Sequence, residues 1–317
     1  MDTEALVNAD GHLLIIPQKG ALDVQTEFGM LYVCVNEVLI IPQGIKFSIR
    51  LGDSENNATG TIQGYMLEVF DGHFDLPDRG PIGSNGLANE RDFLAPVAYS
   101  DIAVEGYKSG SQDCSWTVYM KLGHEYSQLY LKHTPYDVAA WTGNLYPYKY
   151  DLGKFNTIGS VSFDHPDPSI MTVLTSRGND GSQIADFVIF PPRWCVQMDT
   201  FRPPYFHRNC MTEFMGLITG KYDAKSSSEF EPGGASLHNA MVPHGPDKET
   251  FDDAVGLKPV EGAMIDGPPV LPPVFTGHGS MAFMFESSLP LRVTRWGYSC
   301  GALLENCIEC WKDMINE

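Results

Sequence analysis

At 317 residues with 43% hydrophobic and 11% aromatic content, the chain can build one large or two medium domains around a sizeable core, which excludes a disordered polymer. A formal charge of −19 at pH 7 excludes a phosphate-binding surface, so neither nucleic acid nor an anionic membrane is expected as a partner. No apolar run approaches the roughly 20 residues of a membrane span, and the opening MDTEALVNADG has neither a basic n-region nor an apolar h-region; a cytoplasmic protein is the expectation.

From residue 11 onward the pattern is strand after strand. HLLIIPQKG, GMLYVCVNEVLIIPQG and GYMLEVFDGHFDLP are short runs rich in Val, Ile, Leu and Tyr, closed at about ten-residue intervals by Pro, Gly, Asn or Asp, the rhythm of an antiparallel sandwich or barrel. In PQKG and PQG a proline that cannot donate to a ladder and a glycine able to turn are expected to end each strand. Residues 52–62 read as a polar hairpin tip. Residues 78–96, rich in Gly, Pro and Asn, are too long for a hairpin; on composition they read as a crossover loop, the alternative being an ordered functional or assembly element. Strands at 116–122 and 128–131 flank the best helical candidate, residues 133–141.

In the second half, SVSFDHPDPSIMTVL sets His165 between two aspartates, on a turn fixed by Pro166 and Pro168; on residues alone it is a histidine in an acidic turn. ADFVIFPPRW follows as an apolar strand stopped by two prolines. Residues 191–246 then bring His207, Glu213, His238 and His244 into a region thick with Pro, Gly and aromatic residues. Two neutral imidazoles and a carboxylate form a facial set that holds Fe(II) and leaves positions open. His207 and Glu213 are six residues apart, roughly 20 Å on an extended strand and about 240° apart on a helix. Shared ligation therefore needs a strand–turn–strand bend at 208–211. A third donor, 31 residues beyond Glu213, would have to arrive from a separate strand. The same spacing also fits a surface His–Glu pair. Seven cysteines make no regular framework; Cys307 and Cys310 form an isolated CxxC, which without a second pair reads as packing thiols in a reducing compartment.

The longer strings FRPPYFHRNCMTEFMGL, LHNAMVPHGPD, SVSFDHPDPSIMTVLT, ADFVIFPPRW, GPIGSNGLANERDFLAP and MAFMFESSLPL together resemble the homogentisate 1,2-dioxygenase family, in order and over nearly the whole chain. The resemblance implies a mostly β fold of cupin-type jelly-roll, bicupin-like, with few short helices. It places a partial N-terminal β domain at 1–150 and a catalytic cupin domain with the iron site at 151–317. The implied activity is Fe(II)-dependent, extradiol-type ring cleavage of homogentisate by O2 to 4-maleylacetoacetate, a step of tyrosine and phenylalanine catabolism. His207, Glu213 and His244 fall on the iron ligands, His165 on the catalytic acid/base, and Tyr222, with His244, on substrate contacts. His238 falls beside the pocket. Arg202, Arg208 and Lys225 are, by charge, candidates for the substrate carboxylate, and a homotrimer or hexamer is implied.

Two departures stand out. The family carries a long segment before the DG-LL-I-PQ-G strand, so strands within 12–50 are expected to have unpaired edges. Residues 262–279, GAMIDGPPVLPPVFTGHG, are longer than the family's connection and read as a surface loop insertion. The alternatives are an inactive or fragmentary relative that retains the iron site without turnover, and a cupin dioxygenase acting on a related hydroxylated aromatic acid. The intact ligand and base motifs favour the active enzyme.

Overall fold

A computed structural model describes residues 3–52, 60–78, 86–98, 115–137, 143, 145–157, 171–195, 206–225, 230–256, 272, 274–276, 279–312 and 314. The strands begin with β1 (Glu4–Asn8), β2 (His12–Lys19), β3 (Leu22–Thr26), β4 (Gly29–Val33), β5 (Glu37–Ile41), β6 (Lys46–Leu51) and β7 (Gln63–Val69). Next come β8 (Phe74–Asp75), β9 (Gly86–Leu87), β10 (Phe93–Leu94), β11 (Trp116–Leu122), β12 (Glu125–Leu131), β13 (Tyr148–Asp151) and β14 (Asn156–Thr157). The last are β15 (Thr172–Arg177), β16 (Gln183–Phe190), β17 (Arg193–Cys195), β18 (Thr212–Thr219), β19 (Ala235–His238), β20 (Val274–Thr276) and β21 (Met281–Ser287). With two short α-helices among the described residues, α1 (Lys248–Val255) and α2 (Arg295–Ser299), the chain is mostly β with largely antiparallel sheets, consistent with a cupin-like fold.

Two compact units result. The first comprises Met1–Asp75, Ala88–Lys154 and Ser176–Ser182. It holds one sheet in the order β12-β11-β1-β6-β3-β4 and another in the order β10-β13-β5-β2-β7. The alternation of strand side chains is visible in β4, where Gly29, Leu31 and Val33 are buried and Met30 is exposed. Leu13, Ile15, Leu22, Val24, Phe28, Leu31, Leu39, Ile41 and Phe47 close into one apolar cluster; Ala5, Trp116, Val118 and Tyr136 form another.

The structure corrects several details. Between residues 12 and 50 the only sheet edge among the described residues is β4, because β2 lies between β5 and β7 and β3 between β6 and β4; strands later in the chain take the positions that the sequence left open. Pro42 ends β5, but Pro17 sits inside β2, opposite Gly64, where the register slips before Lys19. A Cβ at position 64 would lie 2.3 Å from the Ile16 carbonyl oxygen, so glycine is what lets β7 approach there. Of the expected helix at 133–141, residues 133–137 form turns and bends, and the rest lie outside the described residues, as do most of 52–62 and 262–279. The long connection at 78–96 is structured where described: it contains β9, a 3-10 turn at Glu90–Asp92 capped by the Asn89 side chain, and β10. Cys34, Cys210, Cys300, Cys307 and Cys310 are free: Cys210, Cys300 and Cys307 are exposed, Cys34 and Cys310 intermediate. Of the CxxC pair, Cys307 is therefore not a packing thiol, and Cys310 is only partly covered.

The second unit comprises Leu76–Leu87, Phe155–Thr175 and Gln183–Glu317. Its main sheet runs β19-β18-β21-β16-β15. Near-continuous burial along β16 and β21 marks a sheet covered on both faces. Phe187, Phe283 and Phe285 pack ring to ring, with centroids 4.7–6.2 Å apart. Helix α1 starts where Asp247, following a proline, accepts from the Thr250 amide at 2.8 Å, an N-cap that the PDKET string already carries.

Candidate metal centre

Strand pairing across this sheet decides which side chains meet. Glu213 on β18 lies opposite His238 on β19 and opposite Glu286 on β21, and Glu286 lies opposite Asp186 on β16. Residues directly opposite share a face, about 4.5–5.5 Å apart at Cα. His238, Glu213, Glu286 and Asp186 thus make one polar row across four strands, each buried. One residue along, Leu237, Phe214, Phe285 and Phe187 are matched in the same way and supply the apolar row of the other face.

Ahead of β18 the chain bends through Cys210 and Met211, the bend that the six-residue spacing requires. His207 forms an isolated antiparallel bridge with His244; each backbone amide donates to the other's carbonyl at 2.8 Å. His244 therefore arrives through this bridge rather than from a strand of the main sheet. Gly245 permits the approach, since a Cβ there would stand 2.7 Å from the Phe206 Cα. Trp311 holds the same loop by donating from Nε1 to the carbonyls of Pro246 at 3.1 Å and Gly245 at 3.3 Å.

One donor atom each from His207, Glu213 and His244 lies within 4.8 Å of the others. His244 Nδ1 stands 2.9 Å from the Val242 carbonyl, and because a carbonyl only accepts, Nδ1 carries the proton. In the neutral ring Nε2 is then a lone-pair donor, and it points at Glu213 Oε2 from 2.9 Å. Two acceptors at that distance must share a proton or a cation. Burial disfavours charge on His244, but the Glu213 carboxylate outweighs it and raises the imidazole pKa above 6.5. Burial likewise acts to raise Glu213, yet His244, then the Asn209 side chain and the His207 charge, bring it below 4.5. Glu213 Oε1 is buried, with no hydrogen-bond partner among the described residues.

His238 stacks on His244, with centroids 4.2 Å apart and planes 12° from parallel. Burial first, and then its charged neighbour His244, push it down to about 3, so it stays neutral. Tyr222 packs its ring against Phe190 and Phe230 at 5.6 and 5.8 Å. Burial, then the Asp223 and Glu213 charges, raise its phenol well above the usual range. The Arg193 guanidinium anchors that turn by an ion pair with Asp223 at 2.9 Å. Lys225 stands over the Phe230 ring at 5.3 Å and acts electrostatically on both His238 and His244, whereas Arg208 is exposed. His165 and Arg202 lie outside the described residues.

Sequence reasoning missed Asn209, Arg193 and Glu286. A signal for the last was present: Asp186–Phe187, Glu213–Phe214 and Phe285–Glu286 are acid–aromatic steps inside otherwise apolar strands, and an acid on a doubly covered sheet requires a polar partner.

Comparison with known proteins covers the whole chain. The family model described as "Homogentisate 1,2-dioxygenase N-terminal" matches residues 1–152, and that described as "Homogentisate 1,2-dioxygenase C-terminal" matches residues 153–317. A homogentisate 1,2-dioxygenase of Emericella nidulans is 52% identical over 298 residues, covering 94% of this chain and 61% of that protein. The Drosophila melanogaster protein of that name is 50% identical over 321 residues, covering 100% and 66%. The Homo sapiens protein is 48% identical over 317 residues, covering 99% and 65%. The chain spans about three fifths to two thirds of the length of these relatives.

Proposed function

We propose, given that the chain belongs to the homogentisate 1,2-dioxygenase family, that it is an Fe(II)-dependent ring-cleaving dioxygenase converting homogentisate and O2 to 4-maleylacetoacetate. The observation that carries this reading is the convergence of His207, Glu213 and His244 donor atoms within 4.8 Å. The donor set fits a divalent cation: the Val242 carbonyl fixes the tautomer that leaves a lone pair on His244 Nε2, and a buried carboxylate oxygen of Glu213 lacks a partner among the described residues. Two imidazoles and one carboxylate suit non-haem Fe(II). When bound, Fe(II) would supply open coordination positions and the electrons that make dioxygen reactive.

The remaining roles belong to the chain's own groups. His207, Glu213 and His244 hold the ion. Neutral His238, stacked on His244, keeps that ring in place and adds no charge. Tyr222, its phenol kept protonated by burial, donates a hydrogen bond to the substrate. His165 takes the ring hydroxyl proton as substrate binds, making the ring electron-rich. Lys225, with Arg202 and Arg208 as further candidates, receives the substrate carboxylate; its position beside the imidazoles favours an anion there. Both oxygen atoms of O2 end in the product. In this reading residues 1–150 form the N-terminal β domain and 151–317 the catalytic domain. The protein is cytoplasmic, which accords with no described helix being long and apolar enough to cross a membrane, and it assembles as a homotrimer or hexamer.

The test is anaerobic reconstitution of the purified chain with Fe(II), followed by homogentisate and air, with oxygen uptake and maleylacetoacetate absorbance recorded together. Stoichiometric coupling is expected. Iron bound without turnover would instead identify a relative that retains the site without the activity. His207→Ala and Glu213→Ala are each expected to abolish bound iron, and His165→Ala to retain iron and lose turnover. Full iron content in either ligand variant would remove the ligand assignment.

A further inference from the structure

Two ligands six residues apart must be held in a bend, and the loop that brings the third must be fixed against it. One residue touches all the segments concerned, through its backbone carbonyl and its side chain. The Asn209 carbonyl accepts from the Met241 amide at 2.7 Å, on the segment that leads to His244. Its side-chain Oδ1 accepts from the Met211 amide at 3.1 Å, inside the bend. Its Nδ2 donates to Glu286 Oε1 at 2.9 Å, on β21, the strand paired with β18. Glu286 is 3% exposed and lies opposite Glu213 in the polar row. A buried carboxylate beside another is costly, and an apolar side chain would fill such a place without that cost. The bond to Asn209 offsets it and draws the bend onto the sheet.

We propose that Asn209 and Glu286 form a positioning pair that fixes the bend between His207 and Glu213 and the approach of His244, and so sets metal affinity. Neither residue ligates; each acts through the segments that do. The inference rests on the reading of His207, Glu213 and His244 as a metal site. Partners that orient ligands contribute ten- to a hundredfold in metal affinity, which is the effect assigned to this pair.

The experiment is a Co(II) titration of the whole chain, followed by the visible absorption of the bound ion, for the wild type, Asn209→Ala, Glu286→Ala and the double variant, with the Tm of each metal-free protein. Asn209→Ser is added because a serine hydroxyl keeps an acceptor for the Met211 amide and is too short to reach Glu286. Each single variant is expected to raise the Co(II) Kd by about ten- to a hundredfold and to change the absorption envelope. The double variant should bind no more weakly than the weaker single one. Unchanged Kd values with lowered Tm would reduce the pair to a structural role and overturn the proposal; losses that multiply in the double variant would also overturn it. A wild type that binds no Co(II) would remove the metal reading itself, whereas tight binding by the wild type and all variants would remove only the pair.

Discussion

His244 shows how one hydrogen bond selects a chemistry. With Nδ1 committed to the Val242 carbonyl at 2.9 Å, Nε2 faces Glu213, and in the metal-free protein the two share a proton. That proton is the competitor of any cation. Because the pairing holds the His244 pKa above 6.5 while Glu213 stays ionised below its ordinary 4.5, lowering the pH reprotonates His244 first, and does so earlier than for a free imidazole. Metal affinity is therefore expected to be greatest above the raised imidazole pKa. Below that point Kd should rise by about tenfold per pH unit for each proton displaced. Co(II) titrations at stepped pH check this; a Kd that stays flat until well below pH 6.5 would mean that the shared proton is absent.

At the scale of elements, β18, β21 and β16 each present an acid to one face and a phenylalanine to the other. The apolar row makes the polar row possible, because burial of Phe285 against Phe187, Phe283 and Phe214 fixes the register that sets Glu286 beside Glu213. Truncating it to Phe285→Ala leaves a cavity in a region 4% exposed, with an expected cost of about 3–5 kcal/mol. Urea or thermal unfolding measures that loss. Whatever fraction remains folded should bind metal more weakly, since the pairing of β18 with β21 would loosen. A cost below about 1 kcal/mol would show that the aromatic row does not hold the sheet in register.

Over the whole molecule the formal charge of −19 opposes the homotrimer or hexamer proposed for it, since like-charged chains repel until salt screens them within about 10 Å at 0.1 M. Sedimentation velocity across a salt series is expected to show the larger species gaining with ionic strength; a distribution independent of salt would place the contacts away from the charged surface. How much of this was legible in the chain follows from distance along it. Many strand positions and the need for a bend between His207 and Glu213 were readable, because side-chain alternation and residue spacing are local properties; the choice of those two with His244 came from the family resemblance. The tolerance of Pro17 within β2, the filling of sheet positions around β2 and β3, the exposure of the cysteines, and the pairs Asn209–Glu286 and Arg193–Asp223 were not. Each depends on which strand lies beside which, and in what register. By itself the sequence determined the kind of elements and the chemical groups available; only the tertiary structure decided which of them meet, because a shift of one residue where β18 pairs with β21 would turn a carboxylate from the site into the apolar face.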